Sequence, residues 1–131
     1  MPNANGTFAI RSMGEDALRE VEGGARLTRA RGTQQFSGDI EGEGSVEWLM
    51  CYSPDGSATF VGLQTISGAV GDRKGSIVVQ AGGRHDGNES RGSWTVIAGS
   101  GTGGLSGLSG EGTFHAPGGR EVSYRLEYQF G

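Results

Sequence analysis

The stretch that decides the fold is Gly99-Ser-Gly-Thr-Gly-Gly-Leu-Ser-Gly-Leu-Ser-Gly-Glu-Gly112, which holds seven glycines in fourteen residues. It follows the strand-like segment 93–98. Gly99, Gly101 and Gly104 match the G-x-G-x-x-G pattern of dinucleotide-binding loops, which requires a helix directly after it because the pyrophosphate rests on a helix N-terminus. Each of the later glycines costs a helix about 1 kcal/mol. The stretch therefore predicts a tight strand–turn–strand connection and argues against a nucleotide site.

The composition of the whole chain also favours β structure. Its 131 residues are enough for one domain, 1–131, with a single core. The 27 glycines are roughly three times the average share of ~7 %, and they show no Gly-X-Y period. The net charge is −4 and lysine occurs once, so the chain lacks the basic footprint of a nucleic-acid-binding protein.

Cysteine usage and the N-terminal sequence predict a cytoplasmic protein. Cys51 is the one cysteine, which excludes an internal disulfide framework and fits a reducing compartment. The first residues show neither the basic nor the apolar region of a secretion signal. No apolar run approaches the ~18 residues of a membrane helix, so we expect no membrane partner.

Alternation of apolar and polar residues predicts about eight antiparallel strands separated by glycine-bearing turns. In the segment 121–130 every second residue from Val122 to Phe130 is apolar, which is typical of a sheet with one dry face. The predicted strands are 7–13, 27–36, 40–53, 58–70, 76–81, 93–98, 105–115 and 121–130. We expect a closed up-and-down barrel, because closure removes exposed strand edges and residues that protect edges are scarce.

One segment, 15–22, has the pattern of a short helix. Acidic residues occupy its first turn and Gly23-Gly24 follows as a stop signal. Two turns of helix are marginal alone, so an ordered loop is the alternative.

Four motifs resemble a bacterial family of small proteins of uncharacterised function. They are Ser37-Gly-Asp-Ile-Glu-Gly-Glu-Gly44, Val46-Glu-Trp-Leu-Met50, Gly56-Ser-Ala-Thr-Phe-Val-Gly62 and the glycine-rich stretch 99–112. The resemblance extends from about Gly6 to Phe130. It implies an eight-stranded barrel like that of plant allene oxide cyclase and the dirigent proteins, which share a similar glycine-rich hairpin. Related bacterial barrels include cyclases that form rings without a cofactor by enclosing the substrate.

The candidate catalytic residues are Glu43, Glu111 and Tyr52. Each glutamate sits in a Gly-Glu-Gly triplet, and a carboxylate inside a dry barrel has a raised pKa that suits general acid–base chemistry. The alternative is that both glutamates face solvent, as most do. A tyrosine donates a hydrogen bond to a ligand carbonyl when it lines a cavity, and otherwise belongs to the core.

Aromatic residues are the candidate ligand-binding set, because ligand cavities are lined mainly by apolar and aromatic side chains. They are Trp48, Phe60, Trp94, Phe114, Tyr124 and Tyr128.

Other reactive side chains carry weaker signals. Cys51 is best interpreted as a buried small hydrophobe, because no histidine lies near it in sequence to stabilise a thiolate. His85 and His115 form no metal-binding motif, so we expect no metal, and His85 fits an exposed turn. Arg29 and Arg31 share a face with Leu27, and a solvated outer face is the default for them.

Three functions follow from a barrel of this kind. The first is a cofactor-free cyclase or isomerase that encloses and orients a small apolar molecule in its lumen. The second is a non-catalytic carrier or sensor of such a molecule. The third is a structural or oligomeric module with a solid core, and the open strand faces also permit a symmetric homodimer. A lumen of ~300 Å³ or more favours the first two.

Overall fold

The computed structural model describes residues 2–118 and 121–131, and the secondary structure of these residues is entirely β. None of these residues forms a helix long and apolar enough to cross a membrane. The strands are β1 (Asn3–Glu20), β2 (Arg26–Gly38), β3 (Ile40–Tyr52), β4 (Ala58–Val70), β5 (Arg73–His85), β6 (Ser90–Val96), β7 (Thr102–Gly103), β8 (Leu108–Ala116) and β9 (Glu121–Phe130).

Eight of these strands form a closed antiparallel up-and-down barrel, which confirms the predicted fold class. Each barrel strand pairs with its neighbours in the chain, in the order β1-β2-β3-β4-β5-β6-β8-β9. The barrel closes where β9 pairs with β1, in a register that runs from Asn3 opposite Glu127 to Ala9 opposite Glu121. β7 is a two-residue addition on the edge of β5, where Gly103 lies opposite Gly75.

The glycine-rich stretch is longer and less regular than the tight hairpin predicted for it. β6 ends at Val96 and β8 begins at Leu108, and the chain between them folds back along β5 through β7. A turn follows β7, in which the Leu105 N–H donates to the Thr102 carbonyl, and the next element is a strand. Within residues 99–112, all of which the structure describes, no helix follows the Gly99-Gly101-Gly104 pattern. The glycines serve architecture: a Cβ on Gly101 would lie 2.0 Å from the Leu105 carbonyl oxygen.

The prediction of a short helix at 15–22 is wrong, because β1 continues through that segment to Glu20. Its residues pair with β2, from Glu15 opposite Ala30 to Glu20 opposite Arg26. Pairing along a whole strand outweighs the weak helix preference of a two-turn segment. The predicted stop at Gly23-Gly24 is a turn between strands, closed by a hydrogen bond from the Gly24 N–H to the Val21 carbonyl.

Alternation along the strands places one face of each strand inside the barrel. On β9, Val122, Tyr124 and Leu126 are buried while the residues between them are exposed, as predicted. Large rings fill the middle of the barrel and contact one another in a continuous series. Phe8 lies 4.9 Å from Phe36 and 5.9 Å from Trp94 between ring centroids.

Tyr124 locks the corner between β2 and β3. Its hydroxyl accepts a hydrogen bond from the Ile40 N–H at 2.9 Å and donates to the Ser37 carbonyl at 2.9 Å. Tyr124 is 4 % exposed and Ile40 is fully buried, so the Ile40 N–H has no access to water. The close approach requires Gly6, where a Cβ would lie 2.5 Å from the hydroxyl oxygen.

We predict that Tyr124→Phe lowers the free energy of unfolding by about 1–3 kcal/mol, because it leaves a buried backbone N–H without an acceptor. Urea unfolding followed by circular dichroism measures the change. Tyr128→Phe is the matched control: the Tyr128 ring is half-buried and its hydroxyl forms no hydrogen bond within the described residues, so its effect stays within about 0.5 kcal/mol. Equal effects of the two changes would contradict the role given to the Tyr124 hydroxyl.

Candidate functional site: the lumen cavity

The barrel contains a cavity of about 230 Å³ at the end that carries the turns 21–25, 53–57 and 86–89. We call this the upper end. All eight barrel strands contribute side chains to the cavity, so it is the lumen itself. The lining residues are Phe8, Ile10, Met13, Glu15, Ala30, Trp48, Met50, Tyr52, Phe60, His85, Ser90, Phe114, Ala116 and Val122.

The opposite end of the barrel is filled. Leu105, from the glycine-rich connection, is 1 % exposed and Leu108 is 2 % exposed. They join the same core cluster as Ile40, Val70 and Ile77. Access to the lumen is therefore from the upper end.

Aromatic rings form the floor of the cavity. Phe60 and Phe114 lie 6.2 Å apart between centroids, and Trp94 packs beneath Phe114 at 5.9 Å. Trp48 forms part of the wall, tilted against Phe60 at 5.4 Å. Such a surface stabilises an apolar ligand by removing it from water.

Polar groups gather at the rim around Glu15. One oxygen of its carboxylate, Oε2, accepts hydrogen bonds from the Tyr52 hydroxyl at 2.7 Å and from the Thr28 hydroxyl at 2.5 Å. The Arg26 guanidinium lies over the Tyr52 ring, 4.8 Å from its centroid. The rim thus holds a negative charge oriented by two neutral donors.

Tyr52 is a neutral donor over the physiological range. Burial, together with the hydrogen bond to Glu15 and the negative charge of that residue, raises the pKa of Tyr52 to about 12, against smaller opposing effects of Arg26 and Thr28. The phenol is therefore a hydrogen-bond donor and a poor general acid near neutral pH.

His85 and Ser90 form a second polar pair at the rim. His85 Nδ1 lies 2.8 Å from the Ser90 hydroxyl oxygen, across the β5–β6 register. His85 is the last residue of β5 and is half-buried. The prediction that it lies in an exposed turn is therefore wrong. The alternation of β5 turns its side chain toward the lumen.

Four of the residues predicted from the sequence line the cavity: Trp48, Tyr52, Phe60 and Phe114. Trp48, Met50 and Tyr52 alternate along β3 and lie on its inner face.

Three other aromatic residues predicted to contact a ligand lie outside the cavity lining. Trp94 is 1 % exposed and covered by the rings of the floor. Tyr124 holds the β2–β3 corner through its hydroxyl. Tyr128 packs edge-on against Phe130, at 6.0 Å between centroids, on a part of β9 that pairs with the start of β8. Their role in this structure is to pack the core.

Glu43 and Glu111 are both exposed on the outer wall. Glu43 lies between Gln35 and Ser67 in the register, and Glu111 lies opposite Glu127. The alternation that turns Trp48 inward on β3 turns Glu43 outward, and on β8 the alternation that turns Phe114 inward turns Glu111 outward. The acid–base role considered for these residues depended on a carboxylate inside the lumen. Neither carboxylate lies there.

The remaining reactive side chains also lie on the outer wall. Arg29 pairs with Glu47, and Arg31 lies 3.4 Å from Asp16, as expected for solvated arginines. Cys51 was predicted to be buried and is half-buried on this face. Within residues 2–118 and 121–131, no group of three or more potential ligands is arranged to hold a metal ion.

Sequence reasoning missed the acidic residue of the site, Glu15, because its segment was interpreted as a helix. As a strand, the segment places Met13 and Glu15 on the inner face two residues apart. A bulge between Ile10 and Ser12 shifts the alternation of β1 by one residue, so counting on from Phe8 and Ile10 would have placed Gly14 inside instead. His85 was missed for a similar reason, since Asp86-Gly87 marks a turn but not where the preceding strand ends.

Larger depressions of about 660 and 670 Å³ lie on the outer wall and are open to solvent. The first runs along exposed apolar residues of β3 and β4, where Leu49, Val61 and Leu63 are each at least half exposed. The lumen is smaller, but it is more enclosed than either depression, and all eight barrel strands line it.

The rim geometry predicts an alkaline titration. In the wild type, the Tyr52 phenol should ionise at about pH 12, as followed by the ¹³Cζ resonance. Glu15→Gln removes the negative charge and lowers this pKa, which stays above 10 because burial persists. Since the raised pKa belongs to the folded state, its stabilising effect is complete below pH 10 and is lost as pH rises to about 12. An unchanged Tyr52 pKa in the Gln variant would contradict the contact.

Two comparisons place this chain among known proteins. It is similar to the crystal structure of a protein of unknown function from the DUF3224 family of Shewanella oneidensis MR-1. The TM-score is 0.80 at 26 % identity, over 100 % of this chain and 98 % of that one. No curated protein matches. The family described as "Protein of unknown function (DUF3224)" matches residues 4–128. With a match over nearly its whole length, the chain belongs to the DUF3224 family.

Proposed function

We propose that this protein binds a small, mostly apolar molecule in the lumen of its barrel. The observation that carries the proposal is the enclosed cavity of about 230 Å³, to which every barrel strand contributes. A solid-cored module would fill this end with side chains, as the lower end is filled. Here the upper end carries the small residues Ala30, Ser90 and Ala116 and leaves space.

The volume selects the size of the ligand. At about 230 Å³ the lumen does not reach the ~300 Å³ expected above of a ligand-binding barrel, so it takes only a ligand smaller than a drug-sized molecule. It exceeds the ~150 Å³ of an apolar protein cavity that holds benzene. A molecule with one ring, or a short chain of similar volume, fits this space, and an extended polyketide does not.

A second candidate function, a cofactor-free cyclase or isomerase, is favoured by the position of Glu15. Its carboxylate sits at the rim of the cavity, where it can serve as a base toward a ligand while the Tyr52 and Thr28 hydroxyls hold it in place. The resemblance to the allene oxide cyclase barrels supports the same reaction class. Loss of turnover in Glu15→Gln with binding retained is the result that would favour catalysis over carriage.

We predict that ethylbenzene binds the wild type with a dissociation constant of about 0.1–1 mM. Each buried carbon contributes up to about 0.8 kcal/mol, less the cost of immobilisation. Ala30→Leu should abolish binding, because the larger side chain fills the lumen. Ligand-observed NMR, with unfolding curves to confirm the fold, measures the effect.

Ala69→Leu is the matched control, because Ala69 lies between the exposed residues Glu41 and Lys74 on the outer wall. It should bind ethylbenzene like the wild type. Binding that is lost in both variants, or in neither, counts against the lumen as the site.

A further inference from the structure

We propose that the ligand of the lumen carries an ammonium group at its outer end, bound by the carboxylate of Glu15, on an apolar body that enters the cavity. The proposal rests on the proposed function and adds the charge of the ligand to its size. Three observations carry it: the position of the Glu15 carboxylate, the neutral partners that hold it, and the charge of the other lining residues.

The Glu15 carboxylate lies over the inner faces of two neighbouring strands. Thr28 is 2 % exposed on the inner face of β2, and its hydroxyl donates to Glu15 Oε2 at 2.5 Å. Tyr52 lines the cavity from β3 and donates to the same oxygen at 2.7 Å. Glu15 itself lines the cavity and is exposed, so a molecule that enters the lumen can reach its carboxylate.

The carboxylate is oriented by the protein without being neutralised. Both of its hydrogen bonds come from neutral hydroxyls and end on Oε2, and Oε1 accepts none from the described residues. An ionised carboxylate has about four acceptor positions, so Oε1 is available to a donor on the ligand. An ammonium donor adds charge attraction to this hydrogen bond, which a hydroxyl donor does not.

The lining of the cavity favours a cation over an anion. Among the described residues that line it, Glu15 is the one acid, and no lysine or arginine accompanies it. The other polar groups of the lining are the hydroxyls of Tyr52 and Ser90 and the imidazole of His85. A cleft with low-dielectric walls and charge of one sign concentrates ligands of the opposite sign.

One arginine lies at the same rim but leaves the charge of Glu15 unpaired. The Arg26 guanidinium lies over the Tyr52 ring, 4.8 Å from its centroid. Within residues 2–118 and 121–131, no ion pair includes Glu15. Asp16, the next residue of β1, points to the outer wall and lies 3.4 Å from the Arg31 guanidinium. The acid that faces the lumen thus lacks the cationic partner that its outward-facing neighbour has.

The floor of the cavity suits the apolar body of such a ligand. The rings of Phe60 and Phe114 form a surface that stabilises an alkyl chain or a single ring by removing it from water. The ammonium group stays at the rim, in contact with solvent, and so avoids most of the desolvation cost of a buried charge. The aromatic faces near it also attract cations.

Two pairs of probes test the proposal: benzyl alcohol with benzylammonium, and 2-phenylethanol with 2-phenylethylammonium. Within a pair the carbon skeleton is the same and the terminal group is a hydroxyl or an ammonium, and the second pair reaches one carbon further. At about pH 8, above the ordinary titration range of histidine, the ammonium of at least one pair should bind roughly 3–10-fold more tightly than its alcohol. The preference should shrink at high ionic strength, because salt screens the attraction.

Variants assign the preference to Glu15. Glu15→Gln removes the charge and keeps the shape of the side chain, so it should abolish the preference while the alcohols bind nearly as before. Glu111→Gln is the matched control, because it removes one negative charge from the outer wall and should leave the preference unchanged. In ¹³C-labelled protein, the Glu15 carboxyl resonance should move with the preferred ammonium and much less with its alcohol.

The failures of the two proposals differ. If ethylbenzene binds and neither ammonium binds more tightly than its alcohol, the cation site is refuted while lumen binding stands. A preference that survives Glu15→Gln refutes it as well. If no probe binds, ethylbenzene included, the proposed function itself fails. The wild-type comparison within each pair decides the matter even if Glu15→Gln does not fold.

Discussion

The pairing of β9 with β1 is the constraint on which the rest of the structure depends. Seven residue pairs, from Asn3–Glu127 to Ala9–Glu121, turn a sheet with two free edges into a barrel with an inside. β1 is longer than this contact: from Ser12 to Glu20 it pairs, within the described residues, with β2 alone. That extension carries Met13 and Glu15 above the body of the barrel. Closure thus creates the lumen, and the unequal lengths of β1 and β9 supply part of its rim.

Side chains fill the lower end of the barrel interior and leave the upper end open. Branched aliphatic residues such as Ile40 and Ile77, with Leu105 from the glycine-rich connection, pack the lower end. Aromatic rings span the middle, and the small residues Ala30 and Ala116 leave the upper end partly empty. A cavity in a close-packed protein costs dispersion contacts and is unusual without a reason. A bound molecule that restores those contacts would be such a reason.

Alternation in the sequence predicted the barrel and its inward faces well, because a strand with one dry face must repeat every second residue. It predicted Trp48 and Tyr52 at the cavity for the same reason. It did not predict Glu15, since a two-turn helix pattern and a strand pattern overlap in so short a segment, and only pairing with β2 decides between them. The direction of Glu43 and Glu111 followed from the same alternation as Trp48, but their glycine neighbours suggested a special environment. The depth of Trp94 and Tyr124 depends on which strands meet, and no single sequence pattern carries that information.

The central claim is that the upper end of the barrel holds a space able to take a small apolar molecule. Xenon occupies such spaces in proteins and is located directly by its anomalous scattering. In crystals pressurised with xenon, the structure predicts a peak bounded by Phe8, Phe60 and Phe114, with none in the open depressions of the outer wall. An empty lumen in those crystals, or xenon only on the outer wall, would contradict it.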